Sequence, residues 1–474
     1  MSNHRLRTGS AALACLFTGV ASAAPTLKIL YHERLDITPR IEASGRQHLS
    51  FDAYGHHFDI DLEINEDIAR AVSADRSDIK PYKGTVAGQA GSWVRLTQTR
   101  DGWRGVLHDG QELYAIEPAG ELLKSAVQPL PGDGSSSTPM MYRLADAIMP
   151  DGAAYCGTDT NDSIASAAND PPTALNAFTR IATELSSKDT SRVATRQLVV
   201  GVVADHTFTD AVGPDVQGAI VSRMDIVDGI WSAQVGIKIA LGSLTILTDQ
   251  TDFFSATMVP GDLLTEVSRY RARLPAHSDT GLTHLLTGRA MQGNIVGIAY
   301  LGAICQGGNS VSLSQSTAST TIGALIAAHE LGHNFNAVHD GAPGVCSTTP
   351  QSYLMAPVIN FSNQFSVCSL RSIDARAQTA GCLVQIPPTA GGTFNPTTGS
   401  NPSGSDSGGT PADPSAGGGD TGGPGGSGST NGNSGNGATV GGGGGRLDFA
   451  WLAFLASLLT LQRVRPLLKA AIGI

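Results

Sequence analysis

The 474-residue sequence predicts an α+β protein, on three observations. Phe51 to Leu62 alternates apolar and polar residues in strand fashion. Leu198 to Ala204 and Ile237 to Leu241 read as strands, and between them Asp215 to Trp231 repeats its apolar residues at helical spacing. Ile322, Leu325, Ile326, His329 and His333 recur at three and four residues, which predicts a second helix with Ser319 to Thr321 available as its N-cap.

In chain order, Arg5 and Arg7 precede an apolar run from Ala11 to Val20, closed by the small residues Ala21, Ser22 and Ala23. Residues 1–23 therefore read as a secretory signal peptide cut after Ala23. The run is too short for an anchor, which takes about 20 apolar residues. Residues 24–190 follow, with Phe51–Leu62 as their strand-like stretch. Small polar residues then dominate Ser135–Ser137 and Asp159–Asp170, and a processing cut within Asp170–Arg196 has Arg180, Arg192 and Arg196 as candidates.

The helix around His329 carries the chemistry. His329, Glu330, His333, His339 and Asp340 write HExxHxxNxxHD. Residues four apart lie one turn above each other, so the His329 and His333 rings can share one ion. Glu330, rotated by about 100°, suits holding a metal-bound water as general base. A helix continued to His339 would carry that ring roughly 9 Å away along the axis. The chain must break near Asn336, and asparagine is second only to glycine in the left-handed conformation that ends helices. Paired structural histidines would be the plain reading of His329 and His333 alone; a third past a forced break has no simple packing explanation. His206, His277 and His284 read as surface or hydrogen-bonding histidines.

With this motif the chain resembles the metzincin metalloproteases, and the Asp after the third His is similar to the adamalysin or reprolysin group, with Asn336 where that family has Gly. Tyr353 to Pro357 resembles the family's Met-turn, with Met355 under the metal, and no tyrosine follows Met355 at two residues as in astacin-like relatives. Leu198 to His206, His284 to Gly288 and Val296 to Cys305 resemble its first strand and the stretch leading to its edge strand. The resemblance implies, over residues 195–386, a mixed twisted sheet with an active-site helix and a small C-terminal subdomain holding His339 and Met355. It implies one catalytic zinc on His329, His333 and His339, and hydrolysis of peptide bonds by a zinc-bound water, with Glu330 as general base and no covalent intermediate. Whether a structural calcium also binds is left open.

Ser92 to Leu96 and Gly105 to Ala115 resemble the mostly β reprolysin propeptide, which implies that residues 24–190 are one; an independent binding domain is the alternative. Cys156 followed by Gly157 is similar to a cysteine switch that holds the zymogen off through zinc, without the basic residue that precedes it in the family. The plain alternative for Cys156 is a free or intermolecularly paired thiol. Cys305, Cys346, Cys368 and Cys382 in an exported protein suggest two disulfides in one of three pairings; similarity to adamalysins implies Cys305–Cys382 and Cys346–Cys368.

Residues 387–445 are rich in Gly, Ser, Pro, Thr and Asn, with no Lys or Arg and one aromatic, Phe394. Such a segment buries no core and as a flexible coil spans roughly 40 Å. Residues 446–474 hold a short apolar stretch, Phe449 to Leu461, and a basic end at Arg463, Arg465 and Lys469. With the glycines 441–445 this resembles the GlyGly-type sorting tail of Gram-negative bacteria; the alternative is a transmembrane anchor that stays. A net charge of -10 argues against nucleic acid. The expectation is a secreted or cell-surface monomer acting on proteins or peptides, with membrane contact through the tail alone. The alternative is a surface-displayed binding protein whose zinc site is impaired at Asn336.

Overall fold

The computed structural model describes residues 27–41, 46–130, 135–149, 155–158, 192–317 and 319–389. The signal peptide, Arg180, the tail and the linker beyond residue 389 lie outside these; residues 387–389, read as the start of the linker, belong to a strand that pairs at Ala194.

Residues 27–149 build an antiparallel sheet of nine strands, a meander from Thr38–Ile41 to Pro139–Arg143 with the short Glu33–Arg34 added beyond the last. The alternating stretch Phe51–Leu62 is divided between two strands, Gln47–Ala53 and His56–Ile64, rather than running as one. Tyr54 (φ 53°) and Gly55 (φ 73°) make the turn between them. Two consecutive left-handed residues give the hairpin turn whose twist matches its strands, and the apolar positions shift across it from odd (Phe51, Ala53) to even numbers (Phe58, Ile60, Leu62). Successive residues of the later strands enter different cores: Val94, Leu107, Tyr114, Ile116 and Met141 fill the sheet's own core, while Trp93, Val106, Leu113, Ala115, Met140 and Tyr142 enter the core of the following module.

That module is a seven-stranded sheet with helices. Its strands are β1 (Tyr155–Thr158), β2 (Ala194–Ala204), β3 (Ile237–Ile246), β4 (Leu282–Thr287), β5 (Ile295–Ala299), β6 (Val311–Gln315) and β7 (Val384–Thr389). They lie in the order β1-β5-β6-β4-β2-β3, with β7 antiparallel on the start of β2. Strands β3, β2, β4 and β6 are parallel, and β5 runs antiparallel to β6. The main helices are α1 (Val216–Gln234), α2 (Pro260–Arg273), α3 (Thr320–Asn334) and α4 (Val367–Thr379). The mixed helix and sheet content is the α+β class that the sequence predicts.

Three placements refine sequence expectations. Strand β1 comes from the segment read as propeptide, yet it pairs in parallel with β5 in the second sheet. Arg196, a candidate cut site, pairs with Ile237 on one side and Gln385 on the other, so cleavage there would open a three-strand ladder; Arg192 is held by Asp374 at 2.7 Å. His277 and His284 are buried, not at the surface. They bond to Ser243 and Thr245, and to Ser312 and Ser314, respectively, and burial pushes their pKa down to about 4 and about 3. His206 bonds to Asp252 at 2.9 Å.

Candidate metal centre

Helix α3 starts where Ser319 accepts the amide of Ile322, and it is buried along its whole length. It ends by a backbone device. Asn336 stands at φ 70°, its amide donates to His333 O (2.8 Å), and the amide of Ala337 reaches back to Gly332 O (3.0 Å). These are the two bonds of a Schellman cap, in which a left-handed residue closes the last turn and reverses the chain. Asn336 therefore makes the turn the sequence requires of it.

The reversal returns His339 to the helix. Nε2 of His333 lies 3.0 Å from Nε2 of His329 and 3.1 Å from Nε2 of His339. Backbone carbonyls fix the ring orientations: Nδ1 of His329 bonds to Leu354 O (2.6 Å) and Nδ1 of His333 to Ala337 O (2.7 Å). A carbonyl only accepts, so each Nδ1 carries the proton and each Nε2 offers a lone pair. Burial keeps the rings neutral, pushing His329 down to about 4 and His339 to about 3, and His333 well below the usual range. Lone pairs at this spacing repel unless a cation lies between them. A tetrahedral ion with bonds of about 2.0–2.1 Å places its ligands roughly 3.4 Å apart, so this donor set fits zinc.

The floor and wall of the site come from distant segments. Met355 is buried against the helix, and a Cβ on Gly332 would lie 2.5 Å from its sulfur, so a larger residue there would push the end of Met355 aside. Met355 O also accepts the amide of Asp340 (2.8 Å). The carboxylate of Asp340 accepts from Ser366 (2.7 Å) and Ser369 (3.2 Å) at the start of α4. Disulfides Cys305–Cys382 and Cys346–Cys368 tie the same subdomain, in the pairing the resemblance implies.

Glu330 is fully buried, and neither of its oxygens has a hydrogen-bond partner among the described residues. Burial raises its pKa well above the usual carboxyl range, and the Cys156 thiol facing it opposes that rise. Strand β5 passes so close that a Cβ on Gly297 would lie 2.3 Å from Glu330 Oε1. Strand β1 occupies the groove between β5 and the segment after Met355, with the Cys156 amide donating to Pro357 O (3.1 Å). Ligand atoms of Cys156, His329 and Glu330 lie within 4.8 Å of one another. Burial and Glu330 together push the Cys156 thiol well above its usual pKa. An apolar cavity beside His329 is lined by Leu325, Ile326, Leu354, Val358, Ile359 and Phe361 together with Cys156.

Every residue the sequence singles out for the site is thus brought together. Sequence reasoning missed Asp340 as an anchor, the carbonyls of Leu354 and Ala337, and Gly297. The partners of Asp340 lie 26 and 29 residues away with no shared pattern, and a backbone carbonyl leaves no trace in residue type.

Residues 194–366 match the sequence profile of metallo-peptidase family M12, in its reprolysin branch. Zinc metalloproteinase-disintegrin-like atrase-A of Naja atra is 34% identical over 142 residues, 29% of this chain and 23% of that protein. Disintegrin and metalloproteinase domain-containing protein 19 of Mus musculus is 33% identical over 162 residues, 33% of this chain and 17% of that protein. Disintegrin and metalloproteinase domain-containing protein 12 of Mus musculus is 24% identical over 331 residues, 67% of this chain and 34% of that protein. The chain spans about a third or less of the length of these relatives.

Proposed function

We propose that this chain, whose residues 194–366 are a reprolysin-type metzincin domain, is an exported zinc endopeptidase made as a zymogen. The observation that carries the reading is three buried histidines with converging Nε2 atoms beside a buried carboxyl that has no hydrogen-bond partner among the described residues.

His329, His333 and His339 would hold zinc, which when bound supplies Lewis acidity toward a water and the scissile carbonyl. The carbonyls of Leu354 and Ala337 fix the two helical rings, so the ligands are set before any ion arrives. Glu330 takes a proton from the attacking water and returns it to the leaving amine, and its desolvated site raises its affinity for that proton. Strand β5 offers its backbone to an extended substrate, which would lie where β1 lies. Once β1 leaves, the apolar residues next to His329 face that substrate and favour an apolar side chain on it.

Residues 24–190 serve as propeptide, with Cys156 held at Glu330 and His329 in the zymogen. Residues 1–23 direct export, residues 387–445 form a linker, and residues 446–474 a sorting or anchoring tail. Proteolysis of casein by processed protein is the test. Activity that survives chelation of zinc or Glu330→Gln would sink the reading.

A further inference from the structure

We infer that the N-terminal module, residues 27–149, is a lasting subunit of the enzyme that stays on the second module after the chain between them is cut. This rests on the zymogen reading only in supposing that a cut occurs.

An inhibitory segment needs to cover a groove, and β1 alone does that. The nine-stranded sheet does something else: it encloses helix α1, all of whose residues from Val216 to Ser232 are buried. Three carboxylates of this helix face the N-terminal module. Asp228 accepts Arg95 (2.9 Å) and Asn65 (3.1 Å), while its other oxygen accepts the amide of Ile239 in β3 (2.9 Å). Asp225 accepts Asn65 (2.7 Å) and Thr97 (3.3 Å). Asp215, which caps α1, accepts Arg76 (2.5 Å) and Arg104 (3.4 Å). Without Arg76, Arg95 and Arg104 these carboxylates lose the cations that compensate their burial.

Contact with helix α3 is equally specific. Buried Glu117 accepts the Ser319 hydroxyl (2.7 Å) and the Thr321 amide (2.8 Å), and Tyr142 bonds to Ser319 (3.0 Å). The N-terminal module thus satisfies donors at the start of the helix that carries His329, Glu330 and His333. Apolar fit matches the polar one. A Cβ on Gly229 would lie 2.5 Å from the Trp93 ring, and the alternate residues of the last strands fill the second module's core. Departure would strip one face of that sheet and of α1 at once.

The experiment cuts the full chain at a recognition sequence for a site-specific protease, inserted between residues 152 and 153, in the wild type and in Cys156→Ser. A cut there leaves β1, which the backbone of β5 and Pro357 O hold, on the side of the second module, so union through the groove cannot explain the result. Expected is co-elution of both fragments at micromolar concentration in both backgrounds, with one thermal transition close to that of uncut protein. Separate elution, or two independent transitions, in Cys156→Ser would overturn the inference. In the cut protein Arg95→Ala should weaken the union at least tenfold while the uncut variant stays folded; unchanged association would also overturn it. Proteolysis is not read at any step, so this result and failure of the protease reading are separable.

Discussion

At the scale of the residue, the site depends on a few atoms whose roles can be separated. Glu330→Gln keeps the shape and removes the base, so proteolysis should fall by about 10²–10⁴ while zinc content stays at the wild-type level by elemental analysis; loss of both would mean that Glu330 is structural. Asn336 stands at φ 70°, where a side chain other than Asn costs about 1–2 kcal/mol. Asn336→Gly should therefore keep or raise zinc affinity, and Asn336→Val should lower it together with the melting temperature; competition with a chromogenic chelator measures both, and a large loss in the glycine variant would count against the cap. Asp340 is a positioning residue: it joins the turn after His339 to α4 through Ser366 and Ser369. Asp340→Ala should reduce zinc affinity, with Asp340→Asn restoring part of it because one accepting oxygen remains.

At the scale of the element, the two disulfides close loops of different length, with separations of 77 and 22 residues. Loop-closure entropy makes the longer one more stabilising by about 1 kcal/mol. Replacing Cys305 and Cys382 by alanine should lower the denaturation midpoint more than replacing Cys346 and Cys368, and the reverse order in urea melts would show that local packing, rather than chain entropy, decides. Helix α3 has a legible start and a half-legible end. Ser319 is a capping type in the right place, whereas the Schellman cap shows in sequence only as a demand that the chain reverse. The strands of the N-terminal module show the limit of alternation. The two-residue turn keeps the period but shifts its phase, from odd positions (Phe51, Ala53) to even ones (Phe58, Ile60, Leu62), so the reversal at Tyr54 and Gly55 is written only in the phase of the alternation.

At the scale of the whole molecule, buried carboxylates couple the junction of the two modules to pH. Burial pushes Asp225 up to about 7, with Arg95 and Asn65 opposing and Asp228 reinforcing. A carboxyl raised above its unfolded value near 3.9 binds more protons folded than unfolded. Its contribution to stability is complete below about pH 4 and is lost as pH rises through about 7. Asp225→Asn should therefore flatten the fall in unfolding free energy between these limits. Parallel denaturation profiles for the two proteins would refute the assignment. Glu117 is raised to about 7 by burial and Glu121 and shares the same sign. Chelation of zinc should lower the melting temperature as well, since a ligand bound only by the folded state stabilises it.

Sequence by itself determined the α+β class, the helix bearing HExxH and the three histidines proposed to hold the metal, because these depend on spacing along the chain and on residue chemistry. Only the tertiary structure decided what surrounds them. The placement of β1 in the groove beside Glu330, the carbonyls that turn His329 and His333 and the clasp of Arg95, Glu117 and Asn65 on α1 and α3 join residues tens to hundreds of positions apart. Contacts of that kind are selected by shape and by the need to satisfy buried polar groups, and neither leaves a period in the sequence.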